Sequence, residues 1–255
     1  MILTDTHTHL YSEKFDEDRN AVINRALQEN VTRFFIPAID SSYTQSMYDL
    51  EEDYPKNVFL MMGLHPTSVR EDYEKELKKV EEEFQKRDFY AVGEIGIDLF
   101  WDKSLLKQQQ IAFKHQIQLA KRKKLPIVIH CRDAFDEVFE VLESEKDENL
   151  FGIFHCFTGN YEQAKEALSY NMKLGIGGVV TFKNGGIDKF LNEIPLEHIV
   201  LETDAPYLAP SPYRGKRNES AYIKLIAQKV AQIYGVGLED VAAITTQNAK
   251  NIFGV

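Results

Sequence analysis

The chain has 255 residues, of which 44% are hydrophobic and 27% are charged, a composition typical of globular proteins rather than disordered or membrane-embedded ones. Thirty basic and forty acidic residues give a net charge of -10. This argues against a broad basic surface for long stretches of nucleic acid, but it leaves room for a small phosphate-handling pocket that holds cations.

The cysteine content and the apolar runs suggest where the protein resides. Cys131 and Cys156 are too few for a disulfide framework. No run of apolar residues is long enough for a membrane span, and the start of the chain, MILTDTHTHL, lacks the basic and apolar regions of a signal peptide. We therefore expect a cytoplasmic protein with reduced thiols and no membrane partner.

Eight short apolar runs recur along the chain. Most are nearly continuous rather than alternating, a pattern typical of parallel strands that are covered on both faces. We predict strands at 2–4, 33–38, 58–63, 90–95, 126–130, 151–155, 173–177 and 199–203.

Between the predicted strands lie segments with apolar residues at three- and four-residue spacings, which predict amphipathic helices. These helices are expected at 16–29, 104–123, 160–170, 186–193, 220–234 and 238–253. The charged stretch 71–87 is interpreted as the solvated face of a further helix. Strands that alternate with helices, without a linker rich in Gly, Pro or Ser, predict a (β/α)8 TIM barrel that forms a single domain over 1–255.

Six of the predicted strands end in potential metal ligands or are followed by them at once. Five of the seven histidines occupy such positions, which is more than chance placement would give. In a barrel of this kind, active sites form at the carboxyl ends of the strands, so these side chains should share one pocket. The candidate ligands are His7, His9, Glu94, His130, His155 and Asp204.

The composition of this set indicates the kind of metal centre. His7 and His9 project to the same side of an extended strand, because side chains alternate with period two. Imidazole and carboxylate together suit Zn, Mn, Ni, Co or Fe, and carboxylate-rich sites also admit Mg. Six ligands are too many for one tetrahedral ion, so we predict two divalent metal ions that share a bridging carboxylate.

Other polar residues receive structural interpretations. Cys131 and Cys156 each follow a candidate ligand and should point to the opposite side, so we interpret them as small packing residues. His115 and His198 are expected at the surface. Asp5 lies on the side of His7 and His9 but deeper, where we expect it to support the site and not to bind metal.

The motifs, in this order and over nearly the full length, resemble the TatD family of metal-dependent deoxyribonucleases, within the amidohydrolase-like barrel superfamily. The family's usual GETGLD appears here as GEIGID, which keeps Glu94 and Asp98, and Ser220 stands where a proline usually follows GKRNE. The matching motifs are DTHTHL (5–10), GLHP (63–66), GEIGID (93–98), WDKS (101–104), HCRDA (130–134), HCFTG (155–159), ETDAP (202–206) and GKRNE (215–219).

The resemblance implies how the ligands divide between the two ions. His7, His9 and Asp204 would bind one ion, His130 and His155 would bind the other, and Glu94 would bridge them. It also implies hydrolysis of DNA phosphodiester bonds by metal-activated water attack, with Mg or another divalent ion. We expect a 3′–5′ exodeoxyribonuclease that acts on single-stranded ends, and we expect a monomer.

Catalytic and substrate-binding roles follow from the same comparison. Asp204 is the expected general base, and Glu94 is the second catalytic residue. His65 and Arg132 are candidates for contacts with phosphate oxygens, while Lys216 and Arg217 are candidates for contacts with the DNA backbone. Aromatic residues near the motifs are further candidates, to stack on bases or to pack at the rim: Tyr207, Tyr213, Phe157 and Trp101.

Two alternative functions remain open on the sequence. The first is a barrel metal hydrolase that acts on a small ester, lactone or amide. Many such enzymes bridge their metals with a modified lysine on strand four, where this chain has Glu94 and no lysine. The second is a metal-containing scaffold protein, which the complete ligand set disfavours.

Overall fold

The fold is a closed barrel of eight parallel strands surrounded by eight α-helices, in a computed structural model that describes residues 1–255. The strands are β1 (Leu3–Asp5), β2 (Val31–Ile36), β3 (Val58–Leu60), β4 (Val92–Asp98), β5 (Ile127–Arg132), β6 (Gly152–Phe154), β7 (Met172–Ile176) and β8 (Ile199–Leu201). The helices are α1 (Arg19–Gln28), α2 (Thr44–Asp53), α3 (Tyr73–Lys86), α4 (Leu106–Lys123), α5 (Phe135–Ser144), α6 (Tyr161–Ser169), α7 (Ile223–Tyr234) and α8 (Leu238–Phe253).

Backbone hydrogen bonds close the barrel at two junctions. Each strand pairs in parallel with the next within β1–β3 and within β4–β8. The amide of Gly93 donates to the carbonyl of Met62 at 3.0 Å, which joins the β3 side to β4. The amide of Thr6 donates to the carbonyl of Leu201 at 3.0 Å, which joins β8 to β1. The predicted (β/α)8 barrel in a single domain is therefore confirmed.

The predicted elements differ from the observed ones in a few places. All eight strands form where the apolar runs predict them. The helix predicted over 186–193 is wrong: two 3₁₀ turns, Ile187–Lys189 and Leu191–Glu193, stand there instead. Ile187 and Leu191 are both buried. Their four-residue spacing therefore arises because each 3₁₀ turn buries one apolar side chain, and not because they share one face of an α-helix. The predicted helices do not include α2 or α5.

A separate apolar cluster fills the amino-terminal half of the barrel. It includes Ala91, just before β4, and Val128 near the start of β5. The last turn of α8 belongs to it, since the ring of Phe253 stacks on Phe35 with centroids 3.8 Å apart. The barrel is thus packed and closed at this end, and polar side chains are left to the opposite end. None of the helices combines the length and apolar character that a bilayer crossing needs.

Candidate metal centre

The carboxyl ends of the strands bring the six candidate ligands into one buried cluster. Glu94 lies within β4 and His130 within β5, and the other ligands lie just beyond β1, β6 and β8. His7 is fully buried, and Glu94 is 2% exposed. Side chains of this polarity are costly to bury without partners, so the contacts among them define the site.

The two oxygens of Glu94 face two different groups of histidines. Its Oε2 lies 3.1 Å from Nε2 of His7 and 3.8 Å from Nε2 of His9. Its Oε1 lies 2.8 Å from Nδ1 of His130 and 2.9 Å from Nε2 of His155. One carboxylate therefore stands between two imidazole pairs, as a ligand shared by two cations would.

Asp204 lies on the side of His7 and His9. Its Oδ1 is 3.4 Å from Nε2 of His9 and 3.9 Å from Nε2 of His7. The imidazoles of His7 and His155 stack with centroids 3.8 Å apart, so the two groups adjoin. Compact sets of three potential ligand atoms occur on both sides of Glu94.

His65, which the sequence assigned to substrate contact, lies inside this cluster. Its Nε2 is 3.2 Å from Oε1 of Glu94 and 3.2 Å from Nδ1 of His130. The side chain is held from behind, where Nδ1 lies 2.7 Å from the Oγ1 of Thr67. His65 is thus within reach of the same cation position as His130.

Two carboxylates behind the histidines are not part of the predicted site. Oδ2 of Asp98 lies 2.8 Å from Nε2 of His130, and Oε1 of Glu202 lies 3.2 Å from Nδ1 of His155. Carboxylates in this position fix the orientation and tautomer of a metal-binding imidazole. The sequence contains a signal for both residues. Strand alternation places Asp98 on the same side as Glu94, and Glu202 on the same side as Asp204.

Glu202 reaches His155 because a neighbouring strand lacks a side chain. A Cβ on Gly175 of β7 would lie 2.2 Å from Oε2 of Glu202. The amide of Cys156 also donates to Oε1 of Glu202 at 2.6 Å. The glycine therefore makes room for the carboxylate that supports His155.

Asp5 and Tyr11 support the first group of histidines. The amide and hydroxyl of Thr203 donate to the carboxylate of Asp5 at 2.9 and 2.6 Å, and burial raises the pKa of Asp5 to about 7. The hydroxyl of Tyr11 lies 2.9 Å from Nδ1 of His9 and donates to the carbonyl of Pro37. Asp5 thus ties β1 to the chain after β8, as expected for a supporting residue.

The cluster is electrostatically coupled through Glu94. Burial alone would raise the pKa of Glu94, but the surrounding imidazoles, His155 and His65 foremost, lower it well below its usual range. Burial alone would lower the pKa of His155, but the charges of Glu94 and Glu202 raise it well above its usual range. His7 differs, since burial lowers its pKa. Glu94 and His155 thus each favour the charged form of the other.

The donor set fits divalent metal ions. Neither ring nitrogen of the fully buried His7 makes a hydrogen bond, although Nε2 lies 3.1 Å from the carboxylate of Glu94. A buried imidazole without a hydrogen-bond partner costs free energy, which a bound cation would recover. Neutral imidazole and carboxylate are ligands that Zn, Mn, Ni, Co and related ions accept.

The sequence as a whole matches the family model described as "TatD related DNase" over residues 4–254. The chain belongs to this TatD family. Its members include metal-dependent hydrolases, which agrees with the buried cluster of His, Glu and Asp.

Relatives of the TatD family match the chain from end to end. The uncharacterized metal-dependent hydrolase YabD of Bacillus subtilis is 40% identical, with 100% of both chains covered. A protein of Pantoea ananatis named 3′-5′ ssDNA/RNA exonuclease TatD is 34% identical, with 98% of this chain and 99% of the relative covered. The crystal structure of YjjV, a TatD homologue from Escherichia coli, has a TM-score of 0.93 and 27% identity over 99% of this chain and 98% of that one.

The remaining candidate residues of this TatD-family chain lie at the same end of the barrel. Arg132 ends β5 beside His130, with its guanidinium 3.6 Å from the ring centroid of Phe100. Lys216 and Arg217 are exposed in the loop after β8. The guanidinium of Arg217 donates to both carboxylate oxygens of Asp18, at 2.8 and 2.6 Å, so it anchors this loop to the segment before α1.

The other histidines lie outside the cluster, and both cysteines are free and partly buried. His115 contacts Glu81 on α3 at 3.0 Å, and His198 precedes β8 at the opposite end of the barrel. Burial raises the pKa of the Cys131 and Cys156 thiols. Neither thiol is therefore an activated nucleophile at neutral pH.

Proposed function

We propose that this protein is a 3′–5′ exonuclease that removes nucleotides from single-stranded DNA ends. The observation that carries the proposal is the position of Glu94, whose two oxygens face separate histidine groups. A pair of divalent cations about 3.5–4 Å apart is the usual arrangement for phosphodiester hydrolysis. A relative that is 34% identical carries the name of a 3′-5′ ssDNA/RNA exonuclease, which supports the substrate class.

The proposed ligands are the six predicted from the sequence. His7, His9 and Asp204 would hold one ion, His130 and His155 the other, with Glu94 between them. Each of the two ions would be Mg, Zn, Mn, Ni or Co. When bound, they would supply Lewis acidity, which polarises a phosphoryl oxygen and lowers the pKa of water.

Asp204 is the proposed general base. Burial alone would raise its pKa, but hydrogen bonding from His9 and the nearby His155 and His7 lower it. Asp204 is therefore ionised at neutral pH, and its carboxylate can take a proton from the water that attacks phosphorus. Glu94 keeps the two histidine groups together while this transfer takes place.

Substrate contacts are proposed for four residues around the cluster. His65 and Arg132 would bind phosphate oxygens next to the scissile bond. Lys216 and Arg217 belong to the loop after β8, which would hold the DNA backbone, with Arg217 anchored to Asp18. We further propose a monomer located in the cytoplasm, a compartment that suits its two free cysteines.

The decisive variant is Glu94→Gln, which keeps the size of the side chain and removes its charge. Its bound metal and its nuclease activity should both fall, the activity by on the order of 10²-fold or more. The matched control is Glu162→Gln on α6, an exposed glutamate that pairs with Lys165 at 2.9 Å. Full metal content together with full activity in Glu94→Gln would overturn the bridging assignment.

The substrate is tested by digesting single strands labelled at the 3′ or the 5′ end, with an RNA strand and a small ester or lactone in parallel. Early release of the 3′ label supports the proposed polarity. Hydrolysis of the small ester without cleavage of DNA under any of the metals would replace the proposal with the small-substrate function.

A further inference from the structure

An exposed aromatic pair with an arginine lies beside the candidate metal centre. Trp101 is 72% exposed and Phe100 is 50% exposed, and their rings meet edge to face with centroids 4.9 Å apart. The guanidinium of Arg132 lies 3.6 Å from the centroid of Phe100 and 5.6 Å from that of Trp101. Large aromatic surface left in water at the mouth of a site is unusual without a ligand to cover it.

Asp98 connects this group directly to the histidine cluster. Its Oδ1 accepts hydrogen bonds from the amides of Phe100 at 3.0 Å and Trp101 at 3.4 Å. Its Oδ2 lies 2.8 Å from Nε2 of His130. One buried carboxylate therefore fixes both a candidate metal ligand and the turn that carries the two rings.

Arg132 is held over Phe100 and leaves its N–H groups for a ligand. The residue after β4 positions its backbone, because the amide of Leu99 donates to the carbonyl of Arg132 at 2.9 Å. Its guanidinium contacts the rings of Phe100 and Trp101 and makes no hydrogen bond or ion pair within the protein. A guanidinium that stacks by its face and is free at its edges suits a phosphate that follows a stacked base.

We propose that Phe100, Trp101 and Arg132 form a stacking subsite for an unpaired nucleobase of the strand whose phosphodiester is cleaved. The proposal rests on the proposed nuclease function and deepens it. An unpaired base has an open face and stacks on aromatic rings with little regard to sequence. A base within a duplex has no free face, so the subsite selects single-stranded ends.

Tyr207 is the other exposed aromatic side chain close to the cluster, and it suits this role less well. Its ring lies 5.9 Å from that of His9, on the side of β1. Its side chain is 48% exposed, compared with 72% for Trp101. Trp101 offers more open surface, and its turn is tied to the cluster through Asp98.

Trp101 is the single tryptophan of the chain, so its fluorescence reports on the subsite directly. The metal-loaded protein is titrated with a phosphorothioate-linked oligothymidylate, which resists cleavage, and with a strand of equal length and charge that lacks bases. We expect saturable quenching by the first strand and none by the second. Absence of quenching, or equal quenching by both strands, would overturn the proposal.

Activity variants separate this subsite from the catalytic centre. Trp101→Ala combined with Phe100→Ala should raise KM for single-stranded DNA about tenfold or more and change kcat by a smaller factor. Trp101→Phe, which keeps an aromatic face, should restore most of the affinity. The KM of Arg132→Ala for single-stranded DNA is compared with that of Arg122→Ala. This control removes an exposed arginine at the far end of α4.

The outcomes distinguish this inference from the nuclease proposal. A fall in kcat as large as the rise in KM would indicate a structural role for the pair and overturn the subsite. Unchanged KM for DNA in the double variant would overturn the subsite and leave the nuclease function standing. A wild-type protein that neither cleaves the strand nor shows quenching would overturn both.

Discussion

Glu202 lies behind His155, with its Oε1 3.2 Å from Nδ1 of the imidazole, while Nε2 of the same ring points to Glu94 at 2.9 Å. The ring is thus clamped between two carboxylates, of which only Glu94 is a candidate ligand. Carboxylates that support a ligand in this way hold its tautomer and raise its basicity. From this relationship we expect Glu202 to influence metal affinity without contacting the ion.

We therefore predict that Glu202→Gln lowers metal affinity by roughly 10- to 100-fold. The substitution keeps the size of the side chain and removes the negative charge that favours the Nδ1–H form of His155. Metal titration followed by calorimetry measures the affinity, and thermal unfolding checks that the apo protein is folded. Unchanged affinity in a folded variant would contradict the supporting role.

Metal binding should release protons and tighten as pH rises. Without metal, burial opposes the charge of His155, but Glu94 and Glu202 raise its pKa well above the usual value. A ligand must be neutral, so a proton leaves when an ion binds at neutral pH. Titrations in buffers of different ionisation enthalpy count the protons released, and a count of zero at neutral pH would contradict the prediction.

The same shift predicts the pH dependence of apo-protein stability. Since the folded pKa of His155 lies above its unfolded value of about 6.5, the stabilisation is complete below that value. It is lost as pH rises through the folded pKa. Urea unfolding of the metal-free protein across this range should show stability that falls with rising pH, and His155→Gln should flatten this dependence.

Arg217 should act on DNA through the loop that it anchors. Two of its N–H groups already bind Asp18, so Asp18→Asn should reproduce the effect of Arg217→Ala on DNA affinity, a few-fold loss in each case. Lys216→Ala should weaken binding separately and reduce its salt dependence. Normal DNA affinity in Asp18→Asn, with loss in Arg217→Ala, would indicate direct contact by the guanidinium.

Phe253 should be a principal contributor to barrel stability. It is buried in the apolar cluster that fills the amino-terminal half of the barrel. Its ring stacks on that of Phe35 with centroids 3.8 Å apart. Phe253→Ala should lower the free energy of unfolding by about 3 kcal/mol or more. Val236→Ala, at a position 42% exposed, is the control and should change it by less than about 0.5 kcal/mol. Urea unfolding measures both.

The strands were predictable because burial on both faces leaves a continuous apolar run in the sequence. The run over 126–130 and the strand Ile127–Arg132 nearly coincide. The segment 186–193 was not predictable by spacing, because Ile187 and Leu191 are buried in successive 3₁₀ turns. Apolar residues four apart indicate a shared environment, and only the hydrogen bonds decide the kind of helix.

The candidate site was predictable in composition and less so in detail. Active sites of such barrels form at the carboxyl ends of the strands, and this rule alone predicts that Glu94 lies close to the histidines. Strand alternation indicates the sides on which Asp98 and Glu202 lie, but their contacts with the histidines depend on side-chain directions. The place of His65 within the cluster depends on the path of the loop after β3. A motif gives the residues of such a loop but not where their atoms come to lie.

Gly175 shows how a strand without any candidate ligand takes part in the site. Oε2 of Glu202 occupies the space that a Cβ at this position would need, at 2.2 Å. In a saturation mutagenesis screen for function, Gly175 should tolerate substitution as poorly as a metal ligand, even though it contacts neither ion nor substrate. Loss of function on substitution of Gly175 would therefore indicate that the carboxylate of Glu202 needs this space.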